Sequence, residues 1–206
     1  MGKRKDNREE VRAVIISAAE YEFGLHGYKG ASINMIALRA GLPKANIVYY
    51  FSSKETLYRQ VLSHILSDWN NVFDRATIDD DPAVILDQFI RTKLQQSIQK
   101  PRSSRIFAME VLQGGEHIKE YLSTELTMWF SKRTALIEAW IAAGKMQAVD
   151  PSSLIFMIWA TTQHYADFES QVLVLQNKKS YTKDDLTRIG DTVSGIILQG
   201  CGLIRS

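Results

Sequence analysis

Ile33-Asn34-Met35-Ile36-Ala37-Leu38-Arg39-Ala40-Gly41-Leu42-Pro43-Lys44-Ala45-Asn46-Ile47-Val48-Tyr49-Tyr50-Phe51 is the stretch that decides how this chain folds. Its breakers divide it. Ser32 precedes it as a helix cap, Gly41 stops the first piece and Pro43 opens the second. The spacing predicts two short helices, over about 33–40 and 43–50, joined by a tight glycine-containing turn. A longer helix over about 8–25 stands before them. There Val11, Ile15, Ala18, Ala19 and Phe23 recur at helical spacing, and Gly27 ends the element. Three helices ending in such a pair make a helix-turn-helix head.

The same punctuation organises the rest. Ser53 caps a helix running to about 75, with Leu57, Val61, Ile65, Leu66, Trp69 and Phe73 on its apolar positions. Pro82, Pro101 and Pro151 open helices reaching about 99, 113 and 173. A long helix is predicted over about 117–143, closed by Gly144, and a last one over about 183–203. No stretch alternates with period two. The expectation is an all-α fold of about nine helices. Residues 1–54 form a helix-turn-helix head, and residues 55–206 a larger ligand-binding and dimerisation body.

Composition removes several function classes. A single cysteine, Cys201, excludes an internal disulfide framework and cysteine-rich zinc or iron–sulfur sites. The four histidines, His26, His64, His117 and His164, share no metal-ligand spacing, so no metal is expected. No nucleophile elbow, phosphate loop or His-Glu-x-x-His motif occurs, so no catalytic residue is assigned. No apolar run approaches the roughly 18 residues a bilayer span needs. A cytoplasmic setting without membrane partners is expected, at the nucleoid when bound to DNA.

Net charge is +2 over 206 residues, but it is uneven. Residues 1–54 carry nine Lys/Arg against five Asp/Glu, a surplus of +4, while the remainder is −2. A basic head on a slightly acidic body suits an anionic partner at one end. Double-stranded DNA offers phosphates flanking a major groove that admits one helix. Lys44, Tyr49 and Tyr50 lie on or beside the second short helix, Ser32 and Lys54 stand at helix starts, and Asn46 can hydrogen-bond a base edge or a phosphate.

The order Ala37, Ala40-Gly41, Tyr49-Tyr50-Phe51, Ser53-Lys54-Glu55 and Leu57 resembles the DNA-binding signature of the TetR family of repressors. Pro43 replaces the usual Ser or Thr cap, and Val48 stands where that family often has Tyr. The resemblance implies that Lys44, Ala45, Asn46 and Tyr49 face the groove. It implies that Ser32, Tyr50 and Lys54 hold the DNA backbone.

In the body, Arg105 to Glu110, Ala143 to Met146 and above all Asp150 to Phe168 resemble a branch of that family, the pyrimidine-utilisation regulators. This resemblance implies a small effector such as uracil or a related pyrimidine, and no cofactor. Three i,i+4 pairs could line a pocket for it: Trp69 with Phe73, Lys93 with Ser97, and Trp159 with Gln163. An amide such as Gln163 matches the alternating carbonyl and N–H edge of a pyrimidine, and indoles stack on its ring. Each of these side chains also has a plain reading as core or surface. A homodimer through the last two helices is expected, with Ile155, His164, Phe168, Val193, Ile196, Ile197 and Gly200 at the contact. The reading is therefore a ligand-responsive DNA-binding repressor. The alternatives are the same regulator sensing an unrelated metabolite or drug, or an all-α enzyme with a private site.

Overall fold

A computed structural model describes the backbone over residues 2–69 and 73–203, and the side chains over 8–67 and 73–203. Among the described residues every regular element is helical. The chain divides into two compact units: Met1–Asp68 with Arg105–Lys119, and Trp69–Ser104 with Glu120–Ser206.

The first unit holds α1 (Gly2–Gly30), α2 (Ile33–Ala40), α3 (Lys44–Phe51) and nearly all of α4 (Lys54–Trp69). It also takes most of α6 (Pro101–Leu112), because the division falls after Ser104. α1 is broken at Gly27, whose φ of 66° and ψ of 175° are not helical. Ser32 caps α2 by accepting from the Met35 N–H at 3.2 Å. Gly41 then ends it in the left-handed region, φ 64°. Pro43 precedes α3 without any side-chain cap bond, so the fixed proline backbone starts that helix. Ser53 caps α4, its hydroxyl accepting from the Thr56 N–H at 3.0 Å. Ile15, Ala19, Phe23, Ile36, Ile47, Phe51 and Leu57 are buried, which leaves the outer faces of α2 and α3 for other work.

The second unit is built from α5 (Pro82–Gln99), α8 (Thr127–Ala142), α9 (Pro151–Asp167), α10 (Glu169–Leu175) and α11 (Lys183–Gly200). α5 packs against both α9 and α11. Asp81 and Asp150 cap α5 and α9 with Pro82 and Pro151 in the first turn. Thr182 and Asp185 form a reciprocal capping box at the start of α11. Phe89, Ile90, Ile137, Trp140, Ile155, Ile158 and Ile197 are the centre of its core.

Three expectations need correction. The helix predicted to reach about 75 falls short of it: it is described as far as Trp69, residues 70–72 lie outside the described residues, and Phe73 lies in a bend. The helix predicted over 117–143 is three pieces: α7 (Lys119–Tyr121), a π turn (Leu122–Leu126) and α8. The helix predicted over 151–173 breaks at Phe168 (φ −114°, ψ 27°), which separates α9 from α10. α11 also comes close to α5 at Gly190, where a Cβ would stand 3.1 Å from Arg91 Nη1. At Gly195 and Gly200 a Cβ would meet nothing within 4 Å among the described residues.

Candidate nucleic-acid interface and effector pocket

The head presents α3 outward. Lys44, Ala45, Val48 and Tyr49 are exposed, Tyr49 at 72%, while Ile47 and Phe51 turn inward. Asn46 and Tyr50 are half-buried. The Tyr49 and Tyr50 rings meet edge to face, 5.2 Å apart. The Tyr50 carbonyl accepts from Arg12 of α1 at 3.4 Å, and the Arg12 guanidinium lies 4.7 Å from the Phe51 ring centre. These contacts tie α3 to α1 by its inner side. Its outer side therefore offers a cation, an amide and two phenols, a set suited to phosphates and base edges.

Lys54, expected at the DNA backbone, also has partners within the head. Its ammonium donates to the carbonyls of Tyr28 at 2.9 Å and Ala31 at 3.1 Å, and it sits 4.5 Å from the Tyr28 ring centre. It closes the end of α1 and the turn into α2, where carbonyls lack helical partners. Ser32 is likewise engaged as the α2 cap. Sequence reasoning had no means of finding the Lys54 partners, because they are backbone oxygens of another helix end.

Further along the same unit, an open cleft is walled by Tyr28, Glu55, Arg59, Glu110 and His117 among others. The His117 N–H donates to Glu110 Oε1 at 2.8 Å, and the Arg59 guanidinium donates to the His117 carbonyl at 3.2 Å. Burial and the Glu110 carboxylate raise the Tyr58 phenol well above its ordinary value. These bonds fasten the 105–119 segment to α4 within the first unit.

In the second unit Lys93, Ser97 and Gln163 come together around a small cavity. Gln96, Lys100 and Ser104 complete its wall. Its empty volume is about 200 Å³ with the mouth included. As it stands it has room for about one water molecule. Lys93 is 7% exposed and Ser97 is 6% exposed. Burial pulls the Lys93 ammonium down to about 8, because desolvation disfavours the charged form. The Ser104 hydroxyl donates to Asp167 Oδ1 at 2.7 Å, which fixes the α6 end of the wall. On α5 the pair Lys93 and Ser97 was legible as i, i+4 on one helix face, while Gln96 and Lys100, the residue just after α5, were not singled out although they follow the same face. Ser104 carried no such signal, since it comes from a separate helix.

Two aromatic members of the expected pocket, Phe73 and Trp159, do not line it. Phe73 is 1% exposed, with Phe89 at 5.1 Å and the stacked Trp140 at 6.1 Å. Arg133 donates to its carbonyl. It is core, and no ring face is left for a ligand. Trp159 stacks on Trp129 at 5.8 Å and also meets Phe130 and Phe156, so its indole belongs to an aromatic cluster away from the cavity wall. The Trp69 side chain lies outside the described residues.

The expected dimer residues also separate. Ile155 and Ile197 are 0% and 3% exposed inside the core, so they have no surface for a second copy. Val193 is partly buried against that core. His164 and Gly200 are exposed, as are Phe168 at 54% and Ile196 at 67%. Phe156 and Ala160 extend the exposed row on α9 two turns and one turn before His164.

Among the described residues no group of three His, Cys, Asp or Glu side chains could hold a metal ion. No described helix is long and apolar enough to cross a membrane.

Comparison with known proteins matches both parts of the chain. Residues 15–61 match the family described as bacterial regulatory proteins, tetR family. Residues 62–204 match the YcdC-like protein, C-terminal region. The HTH-type transcriptional regulator RutR of Escherichia coli is 37% identical over 97% of this chain and 94% of its own length. The HTH-type transcriptional repressor NicS of Pseudomonas putida is 28% identical over 72% of this chain and 69% of its own. Among solved structures, AibR in complex with isovaleryl coenzyme A and operator DNA superposes with a TM-score of 0.71 at 15% identity, covering 90% of this chain and 97% of that one. A transcriptional regulator from Streptomyces coelicolor also reaches 0.71, at 18% identity over 92% and 97%. These two likenesses concern the fold.

Proposed function

Because the chain belongs to the TetR family of bacterial regulatory proteins, we propose that its cavity between α5, α6 and α9 takes a pyrimidine-type effector, which releases the head from operator DNA. The family makes it a ligand-responsive DNA-binding transcriptional regulator and not an enzyme. The observation that carries the effector reading is the meeting of Lys93, Ser97 and Gln163 around one buried cavity. It occurs in a chain that is 37% identical to the HTH-type transcriptional regulator RutR and whose body resembles the pyrimidine-utilisation branch of the family. Gln163 supplies a donor and an acceptor for the ring edge, Ser97 and Ser104 supply hydroxyls, and Lys93 donates to a ring oxygen. A six-membered ring is larger than the present opening, so binding moves the Gln163 or Gln96 side chain outward.

Residues 1–54 serve as the DNA-binding domain and residues 55–206 as the effector and dimerisation domain. Lys44, Ala45, Asn46 and Tyr49 meet the groove, and Tyr50 and Ser32 meet phosphates. Two copies pair through the exposed rows of α9 and α11, around Phe156, Ala160, His164, Phe168 and Ile196. Their heads then read half-sites one turn of DNA apart, roughly 34–36 Å. Coupling runs through α6. Its first turn carries Ser104 in the cavity wall, and its later turns belong to the head's compact unit. A ring that moves Ser104 moves α6, and so biases the head between two arrangements.

A thermal-shift panel tests the effector class. Uracil and thymine should each raise the melting temperature of the wild type and leave Gln163→Leu unshifted. A shift from an unrelated metabolite alone, with none from either pyrimidine, overturns the pyrimidine reading.

A further inference from the structure

We infer that Val48 sets part of the DNA sequence the head prefers: its exposed methyl groups, beside Ala45, read the 5-methyl group of a thymine in the major groove. The inference rests on the placement of α3 in the groove proposed above and adds a residue to its reading face.

Val48 is a β-branched apolar residue left 44% exposed on α3. Ala45 and Val48 are i,i+3 neighbours and share one side of the helix, next to Tyr49. Ile47 and Phe51, at 0% and 2% exposed, face the core of the head, so that side faces away from it. Singly exposed apolar side chains are ordinary on a protein surface. Val48 differs by its place, because it stands among Lys44, Ala45 and Tyr49 on the exposed face of the one helix proposed for the groove. Its backbone is held, the Val48 carbonyl accepting from the Ser52 N–H at 2.8 Å. A valine in a helix keeps essentially one χ1 rotamer. Its two methyl groups are therefore presented in a fixed position, with little rotamer freedom left to lose on contact.

The chemistry of the groove narrows the target. Four side chains are exposed on α3: Lys44, Ala45, Val48 and Tyr49. Lys44 and Tyr49 carry hydrogen-bonding groups, while Ala45 and Val48 carry none. The major-groove edges of guanine, cytosine and adenine are read through donors and acceptors, and only thymine adds a methyl group. Val48 against a thymine methyl removes apolar surface from water on both partners. Against a guanine oxygen or a cytosine amine the same side chain displaces water and returns no hydrogen bond. The difference favours an A·T pair, with thymine on the strand that faces Val48. Ala45, one methyl group long, extends this apolar strip but reaches less far.

A duplex selected by the full chain from a random-sequence library tests this. Each thymine of one half-site is replaced in turn by deoxyuridine, which removes the methyl group and keeps the base pair. In anisotropy titrations one such replacement should weaken wild-type binding about fourfold, the worth of one methyl-sized group taken out of water. Val48→Ala should bind the parent duplex more weakly than the wild type does and lose nothing further at that thymine. Circular dichroism establishes that the variant is folded. A wild type indifferent to every replacement overturns the inference, as does a selected half-site without thymine. A loss at the same thymine as large in Val48→Ala as in the wild type also overturns it. If the double change of Lys44 and Tyr49 to Ala still weakens binding in any of these cases, α3 remains in the groove and only the role of Val48 falls. If that double variant binds as the wild type does, or if no duplex is selected, the placement of α3 and this inference fall together.

Discussion

Lys44 and Tyr49 are exposed side chains on the outer face of α3, with no part in the core of the head. Replacing both by Ala should therefore spare the fold and weaken DNA binding at least tenfold. The loss of the lysine should also lower the salt slope of binding by about one. Circular dichroism and anisotropy titrations at several salt concentrations measure both. Lys54→Ala should behave otherwise: it lowers the melting temperature, because the Tyr28 and Ala31 carbonyls lose their donor. Lys93 gives a signature of the opposite sign. Its folded-state value is about 8 against 10.5 in a free lysine. The unfolded chain thus holds the proton more tightly between those values. The penalty is present in full below pH 8 and fades as pH rises towards 10.5. Lys93→Met should be the more stable protein at pH 7, by on the order of 3 kcal/mol at most, and the gap should close by pH 10. Denaturant melts at the two pH values check it. At this scale the sequence was legible where a residue acts on its own helix, as Ser32 does. It was silent where a residue acts on a distant backbone, as Lys54 does. The i,i+4 rule placed Lys93 with Ser97, but could not say that the ring of Phe73 is enclosed by Phe89 and Trp140.

Helix boundaries followed their caps. Pro82, Pro101 and Pro151 each begin a helix, and Gly41 ends α2. A methyl group at Gly41 would meet nothing within 4 Å, but the φ of 64° there is left-handed. Gly41→Ala should then cost about 1–2 kcal/mol from backbone strain alone, read as a lower unfolding midpoint with an unchanged slope. At α11, Asp185 accepts from Thr182, Lys178 and Arg188, and these partners hold its carboxyl well below the usual range. A depressed carboxyl contributes stability above its unfolded value, about 3.9, that is lost as pH falls below it. The wild type should therefore be more stable than Asp185→Asn at pH 7, and the two should converge in acid. The breaks that escaped the sequence, at Phe168 and in the π turn of 122–126, have no proline or glycine to announce them. Helical periodicity continues through both, so only tertiary packing could set them.

For the molecule as a whole, two readings of the apolar helices competed: intramolecular core and contact with a second copy. The structure apportions α9 and α11 between core and surface residue by residue. Ile155 and Ile197 face the core, while Phe156, Phe168 and Ile196 remain exposed. Ile196→Glu should therefore convert a dimer to monomers in sedimentation without lowering the helical content, and it should weaken binding to a two-half-site DNA more than to one half-site. The head's +4 surplus, hidden in a net charge of +2, is the electrostatic counterpart of that pairing. The central claim is that one chain joins a DNA-reading head to a ring-binding cavity so that occupancy of one empties the other. Its most direct measurement is fluorescence anisotropy of a DNA duplex selected by the protein itself, titrated with and without saturating uracil or thymine. The ring should weaken the wild-type complex at least tenfold and leave the Gln163→Leu complex intact. A wild-type complex that survives a saturating ring, whose binding the thermal shift has established, would contradict it.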